Sequence, residues 1–154
     1  MTVRPCAALI VPATFVALVA ATAAMADTTV HVSLWDKGPD SMVMDDAHMA
    51  MMGVTLDKTT VPAGKVTFEV VNDSKDIIHE FMLSPVTAGE TALPYIVDEN
   101  RVDEEKAGHL GEVSELDTGK GGSLTVDLTP GTYIAYCNIP GHFIGGMWTV
   151  ITVQ

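Results

Sequence analysis

The chain has 154 residues, of which 20 are acidic and 8 are basic, so its formal net charge is −12 at pH 7. This length predicts a single domain, and the acidic excess argues against nucleic acid as a partner, because binding phosphates needs a basic surface. An excess of negative charge keeps a small protein dissolved and steers it toward basic partners.

The first 26 residues have the pattern of a secretory signal peptide. A basic residue precedes a short apolar run at residues 7–21, which leads into the cleavage-type sequence Ala24-Met25-Ala26. A membrane anchor is the weaker interpretation, because the run is short, contains a proline and precedes no stop-transfer pattern. We therefore predict that residues 1–26 are a cleaved signal peptide. Residues 27–154 are then one mature domain in the periplasm, without a membrane anchor.

The cysteines favour a bound metal. The chain has two cysteines, and Cys6 would leave with the signal peptide, so that Cys137 is the only thiol of the mature domain. A single cysteine cannot form an internal disulfide, and a lone thiol in an oxidising compartment is vulnerable unless something holds it. Metal coordination does so, because the bound sulfur is deprotonated and occupied.

The mature domain contains short segments of alternating apolar and polar residues, separated by turn residues. In the first of them Val30, Val32 and Leu34 fall on one face of an extended chain, which is the pattern of a half-buried strand. Short strands separated by turns predict an all-β fold, a Greek-key β-sandwich. The predicted strands are residues 29–35, 66–72, 79–83, 123–128, 132–136 and 148–153.

Residues 87–116 interrupt this pattern. They are acidic and lack β-branched alternation, so we predict one short helix around residues 102–109 and loop in the remainder. The sandwich would then carry a short helical or loop insertion. His109, within this insertion, is predicted to lie at the surface. His31 points away from the apolar face of its strand, so it could lie at the surface or assist the methionine-rich residues 41–53.

Three potential metal ligands lie near the C-terminus. Cys137, His142 and Met147 are each separated from the next by four residues, and His79 on a distant predicted strand is the candidate for a second histidine. Two imidazoles, one thiolate and a weak axial thioether are the ligand set of a mononuclear copper site. Each residue alone is more often an ordinary core or surface residue. The four together, on an exported β-rich chain, favour copper.

By these four residues, their order and the glycines before the methionine, residues 59–154 resemble the cupredoxins. These are the small blue copper proteins of the plastocyanin, azurin and rusticyanin type. The resemblance implies that His79, Cys137, His142 and Met147 bind one type 1 copper ion. It also implies a short, covalent copper–sulfur bond and an intense visible colour.

The resemblance has a further implication and one departure. It makes His142 the exposed ligand, with Pro140, Phe143 and Ile144 as an apolar rim to which a partner could dock. The departure is Glu80, since many cupredoxins have at this position an asparagine whose side chain helps to tie the two ligand loops together.

A second group of soft side chains lies in residues 41–53, which hold most of the methionines of the mature domain. Thioethers select Cu(I), so these residues could form a second copper site. The alternative is that flexible methionines fill irregular gaps in the core. The candidate ligands are Met42, Met44, His48, Met49, Met51 and Met52.

Two functions are compatible with these features. The first is a periplasmic one-electron carrier that cycles between Cu(I) and Cu(II) and docks near His142 to a redox partner such as a cytochrome or an oxidase. The second is a periplasmic copper-tolerance or copper-handling protein that also uses the Cu(I) site. An enzyme is disfavoured, because the sequence has no second histidine cluster, no His-x-His pair and no cysteine pair for a binuclear site.

Overall fold

The structure is a computed structural model and describes residues 27–37 and 51–154. The signal peptide predicted for residues 1–26 lies outside these residues. So do Met42, Met44, His48 and Met49 of the methionine segment. Within the described ranges, no helix is long and apolar enough to cross a membrane.

Strands make up most of the regular structure, and the predicted all-β fold is confirmed. A turn of 3-10 helix, Val97–Glu99, and one short helix, α1 (Glu104–Ala107), lie in the insertion. The strands are β1 (Thr28–Asp36), β2 (Met52–Leu56), β3 (Thr60–Val61), β4 (Gly64–Asn72), β5 (His79–Val86), β6 (Tyr95–Ile96), β7 (Arg101–Val102), β8 (Glu112–Leu116), β9 (Gly121–Leu128), β10 (Gly131–Tyr136) and β11 (Trp148–Val153).

Two sheets form the sandwich. The first sheet has the strand order β2-β1-β4-β9, and the second has the order β3-β11-β10-β5-β8. Strand β1 runs parallel to β4, whereas β10 is antiparallel to both of its neighbours, β5 and β11. This order places the start of β5 beside the end of β10, although the two segments are distant in sequence.

Alternation of side chains produces the core between the sheets. Val30, Val32 and Leu34 of β1 are buried, as their spacing predicts, because successive side chains of a strand point to opposite faces. Phe68 of β4 and Phe81 of β5 meet across the interface, with ring centroids 5.1 Å apart. Burying each ring stabilises the fold by about 1.5–3 kcal/mol, so this pair helps to fix the two sheets relative to each other.

The insertion covers the outer face of the second sheet. Strand β5 is buried on both faces from His79 to Ser84, because Val102 and Ala107 of the insertion pack with Met82 and other side chains of that face. Helix α1 is shorter than the predicted helix. It begins where the Asp103 side chain accepts a hydrogen bond from the Lys106 N–H, and it ends at Gly108, whose φ is +63°.

Five strands were not predicted from the sequence: β3, β6 and β7 have only two residues each, whereas β8 and β2 have five. Strand β8 lies in residues that were predicted to be loop, because its apolar residues do not alternate regularly. In the structure its pairing with β5 shifts register between His79 and Phe81. Strand β2 follows the methionine segment, and its Gly53 fits under the Trp35 ring, where a Cβ would come within 2.4 Å of a ring carbon. Strands β2 and β8 depend on packing against neighbouring strands, and the pattern of a few consecutive residues does not reveal such packing.

Candidate metal centre

Three potential ligands converge at one end of the sandwich. His79 is the first residue of β5, Cys137 directly follows β10, and His142 lies in the loop before β11. The Nδ1 atoms of the two histidines are 3.3 Å apart, and Cys137 Sγ lies 3.3 Å from His142 Nδ1 and 4.0 Å from His79 Nδ1. Within residues 27–37 and 51–154, no other group of three His, Cys, Asp or Glu residues is close enough to hold a metal ion.

The three donor atoms fit a transition-metal ion. A triangle with sides of 3.3, 3.3 and 4.0 Å has a centre about 2.1 Å from each corner, which matches the roughly 2.0–2.3 Å at which imidazole nitrogen and thiolate sulfur bind such ions. Two imidazole nitrogens and one thiolate sulfur are among the donors that copper electron-transfer sites use.

Met147 is fully buried, in the same core cluster as Cys137. Its backbone is hydrogen-bonded to two of the other candidate ligands: the Cys137 N–H donates to the Met147 carbonyl at 3.1 Å, and the Met147 N–H donates to the His142 carbonyl at 3.0 Å. The structure therefore brings together the donor atoms of His79, Cys137 and His142 and holds the backbone of Met147 beside Cys137 and His142. His109 is exposed, as predicted, and His31 is exposed and pairs with Glu69 at 3.1 Å.

The loop that carries His142 is wound into successive turns. The His142 N–H donates to the Ile139 carbonyl at 2.9 Å, and the Gly145 N–H donates to the Gly141 carbonyl at 3.0 Å. Gly141 and Gly146 have φ values of +86° and +91°, which residues with a side chain rarely adopt. These bonds hold the backbone of His142 in place relative to Cys137.

The insertion holds this loop from the outside. The Asn138 side chain accepts the Val102 N–H at 2.6 Å, and its amide donates to the Val102 carbonyl at 3.1 Å and to Glu104 at 2.9 Å. The Gly141 N–H donates to the Asn100 carbonyl at 2.7 Å. Asn138 and Asn100 are supporting residues that were not identified from the sequence, although Asn138 directly follows the ligand cysteine.

Glu80 takes over the connection for which many cupredoxins use asparagine. Its backbone N–H donates to Cys137 Sγ at 3.4 Å, and its carboxylate accepts the backbone N–H of Asn138. The two ligand segments are thus tied together at both the backbone and the side chain of Glu80. Burial, with smaller contributions from Glu112 and Glu104, raises the pKa of Glu80 to about 7.

Burial changes the pKa values of two of the donors, in each case toward the neutral form of the side chain. Burial, reinforced by the neighbouring His142, lowers the pKa of His79 to about 4 although Asp36 acts in the opposite direction. The His79 ring is therefore neutral at pH 7, with a lone pair for a metal. Burial raises the pKa of Cys137 to about 12, against the hydrogen bonds from the N–H groups of Glu80 and Ile139, so that the metal-free protein holds a protonated thiol.

The rim around His142 is apolar and accessible. His142 is partly buried, Pro140 is exposed, and Ile144 is 65% exposed. Phe143 is partly buried because it packs edge-on against Tyr136, with ring centroids 5.7 Å apart. The structure thus places the predicted rim residues at the surface beside the one ligand of the cluster that is not fully buried.

Comparison with known proteins shows solved structures that have a similar fold. No protein-family model and no curated protein matches the chain. Solved structures do match: a reduced rusticyanin is 25% identical, with a TM-score of 0.54, over 82% of this chain and 80% of that one. Auracyanin B is 25% identical, with a TM-score of 0.52, over 82% and 88%. A dithionite-reduced auracyanin from Roseiflexus castenholzii is 21% identical, with a TM-score of 0.51, over 82% and 97%.

These proteins share the two-sheet sandwich of this chain, and His79, Cys137, His142 and Met147 occupy one end of it. The structure is thus similar to those of the cupredoxins rusticyanin and auracyanin, and it carries a cluster of His79, Cys137 and His142 that could hold a metal ion.

Proposed function

We propose that this protein is a cupredoxin that acts as a periplasmic one-electron carrier and not as an enzyme. His79, Cys137 and His142 would hold one copper ion, and Met147 would supply a further, weak thioether donor. The observation that carries the proposal is the triangle of two imidazole nitrogens and one buried thiol, whose centre lies about 2.1 Å from each donor. Bound copper would supply a one-electron couple between Cu(II) and Cu(I).

The residues around the donors keep the site in one geometry in both oxidation states. His79, Cys137 and Met147 are fully buried, so water has no direct access to them. The hydrogen bonds of Glu80 and Asn138 tie the ligand segments to each other and to the insertion. A donor set that moves little on reduction and oxidation suits rapid electron transfer.

The route for the electron and the docking surface follow from exposure. His142 is the one ligand of the cluster that is not fully buried, and Ile144 projects beside it. The net charge of −12 favours a basic redox partner, a cytochrome or an oxidase, whose approach it would accelerate. Export to the periplasm rests on the signal peptide predicted for residues 1–26.

The first test is spectroscopic and electrochemical. The mature protein loaded with one equivalent of copper is expected to show an intense visible band that disappears on reduction and returns on oxidation. Cyclic voltammetry should give a reversible one-electron couple, and NMR line broadening in mixtures of the two oxidation states should show electron self-exchange. Loaded protein without the band, or with an irreversible couple, would contradict the proposal.

The docking surface leads to a separate prediction for Ile144→Lys. Lysine at this exposed position is expected to slow electron transfer to a basic cytochrome c by about tenfold, which corresponds to about 1.4 kcal/mol, because it places a like charge and a hydrated group in the contact area. The visible spectrum and the reduction potential should stay unchanged. Stopped-flow rates at several ionic strengths measure the effect.

The control for this experiment is Thr152→Lys. Thr152 is exposed and pairs with Thr132, at the end of the β10–β11 ladder that lies away from the ligand loop. The substitution adds the same charge to the protein and should change the rate by less than about twofold if the contact is local. Equal slowing by both variants would show that net charge, and not the surface around His142, sets the rate.

Copper handling is the second candidate function, and the position of Met52 supports it. The thioether of Met52 lies beside the ligand loop, since a Cβ built on Gly145 would come within 3.6 Å of its sulfur. Met51, the next residue toward the methionine segment, is 41% exposed. The described end of this segment thus contacts the loop that carries His142.

A second, colourless Cu(I) equivalent stays a prediction for this segment. Anaerobic competition against a chromophoric Cu(I) chelator is expected to give two equivalents for the wild-type protein. The variant with leucine in place of the methionines and alanine in place of the histidine should bind one. One equivalent in both proteins would leave electron transfer as the sole function. The substituted residues are Met42, Met44, His48, Met49, Met51 and Met52.

A further inference from the structure

A buried carboxylate faces the side of His79 that is turned away from the metal centre. Asp36 is the last residue of β1 in the first sheet, and His79 is the first residue of β5 in the second. Asp36 Oδ2 lies 3.8 Å from His79 Nε2, and the two side chains are 4% and 0% exposed. The pair therefore bridges the two sheets at the end of the sandwich that carries the metal centre.

The orientation of the His79 ring determines which of its nitrogens would bind a metal and which would carry the proton. His79 turns Nδ1 toward His142 and Cys137, so Nδ1 is the atom that would bind a metal. A neutral imidazole that coordinates through Nδ1 carries its proton on Nε2. That N–H is fully buried, and Nε2 has no hydrogen-bond partner among the described residues, although buried N–H groups in proteins nearly always have one.

The backbone keeps Asp36 in place. Asp36 pairs with Met52 in the β1–β2 ladder, and the next residue, Lys37, donates its N–H to the Met51 carbonyl at 2.9 Å. The carboxylate is therefore held by regular sheet structure on one side of the His79 ring, while the other donors of the cluster hold the opposite side.

From this arrangement we propose that Asp36 is a positioning residue, whose carboxylate accepts the Nε2–H of His79 when a metal ion occupies Nδ1. The observed 3.8 Å exceeds a hydrogen-bond length by roughly 0.6–1 Å, a gap that a small rotation of either side chain closes. The proposal rests on the copper site described above. It extends the site by Asp36, which is not one of the four proposed ligands and lies on β1, before all of them in the sequence.

The bond would have two consequences. It would fix the tautomer and the orientation of the His79 ring, as carboxylates do for histidines that bind zinc. It would also place a negative charge on the far side of the imidazole ring from the metal, in a region that solvent does not reach, where charges interact strongly. Negative charge stabilises Cu(II) more than Cu(I), so Asp36 would lower the reduction potential of the protein.

The decisive variant is Asp36→Asn. Asparagine has nearly the same size and can still accept the N–H through Oδ1, so the substitution removes the charge and leaves the shape. We expect the ratio of Cu(II) affinity to Cu(I) affinity to fall about tenfold, which raises the reduction potential by about 59 mV for a one-electron couple. Cyclic voltammetry of the loaded protein measures this shift.

The matched control is Asp57→Asn. Asp57 directly follows β2, at the opposite end of the β1–β2 ladder, and it is exposed, with its carboxylate accepting the His31 N–H at 2.8 Å. The control removes one charge from the same pair of strands, far from the metal centre and in contact with solvent. Its potential should match that of the wild type. Equal shifts in the two variants, or no shift in Asp36→Asn, would overturn the proposal.

A measurement on the wild-type protein covers the case in which the variant does not fold. In the diamagnetic Cu(I) form, the Nε2–H of His79 should resonate downfield and show a scalar coupling across the hydrogen bond to the carboxyl carbon of Asp36. Coupling to a different carbonyl, or rapid exchange of this proton with water, would disprove the bond. A protein that binds no copper would instead contradict the proposed function itself.

Discussion

Replacing Cys137 with serine is expected to abolish the intense visible band of the copper-loaded protein. The hydroxyl oxygen of serine is a harder donor than thiolate sulfur and cannot form the covalent bond responsible for the colour. Copper affinity should fall by more than about 100-fold, since loss of a merely supporting residue already costs about 10–100-fold. Visible absorption and competition with a chelator measure both effects.

The fold should survive this change, because a serine hydroxyl is nearly isosteric with the thiol and can accept the hydrogen bond that the Glu80 N–H donates to Cys137. Thermal unfolding of the metal-free variant checks that it does. Met147→Leu provides the contrast: it should retain both copper and colour, because the axial thioether bond is weak, and should raise the potential. A visible band that persists in Cys137→Ser would refute the assignment of the cysteine as a ligand.

Copper uptake is expected to release one proton per ion at pH 8.5. Burial raises the pKa of the Cys137 thiol to about 12, so the metal-free protein carries this proton, whereas the bound sulfur does not. His79, with a pKa lowered to about 4, is already neutral and contributes no proton. Glu80, with a pKa raised to about 7, is already ionised at this pH.

The sign of the pH dependence follows from this proton. Below the thiol pKa, each increase of one pH unit makes the thiolate ten times more abundant, so the apparent affinity rises tenfold, or by about 1.36 kcal/mol. Anaerobic Cu(I) calorimetry in buffers of different ionisation enthalpy counts the protons, and chelator competition between pH 8 and 10 gives the slope. Cys137→Ser is the control and should release none. An affinity that does not change with pH would show that the thiol is not the ligand.

The charges around the centre point to a site that favours the oxidised ion. Glu80 and Asp36 approach it from two sides, and both side chains are nearly inaccessible to solvent. When ionised, each carboxylate would stabilise Cu(II) relative to Cu(I) for the same Coulombic reason. Glu80 therefore adds a titratable charge beside the site and also connects the two segments that carry His79 and Cys137.

Local pattern was sufficient to predict six of the strands and to propose the four metal-binding residues. Alternation within β1, β4 and β9 reports which face is buried, and this is a property of a few consecutive residues. The candidate ligands could be proposed because Cys137, His142 and Met147 lie within one short loop, whose spacing can be read directly from the sequence. His79 could be added because a copper site of this kind has a second imidazole, which the loop lacks.

Only the tertiary structure decided what surrounds those residues. Strands β2 and β8 form because they pair with neighbouring strands and, for β2, because Gly53 packs against the Trp35 ring. Neither strand has the regular alternation of apolar and polar residues that would predict it from the sequence. The insertion was predicted as one short helix with loop around it, and nothing in its sequence indicated that its backbone and Glu104 bind Asn138 and support the loop that carries His142. Asp36 carried no signal at all, since it is an ordinary acidic residue at the end of a strand until the second sheet places His79 against it. Ligand identity is local chemistry that a sequence records, whereas pKa, orientation and reduction potential depend on groups that folding brings together from distant parts of the chain.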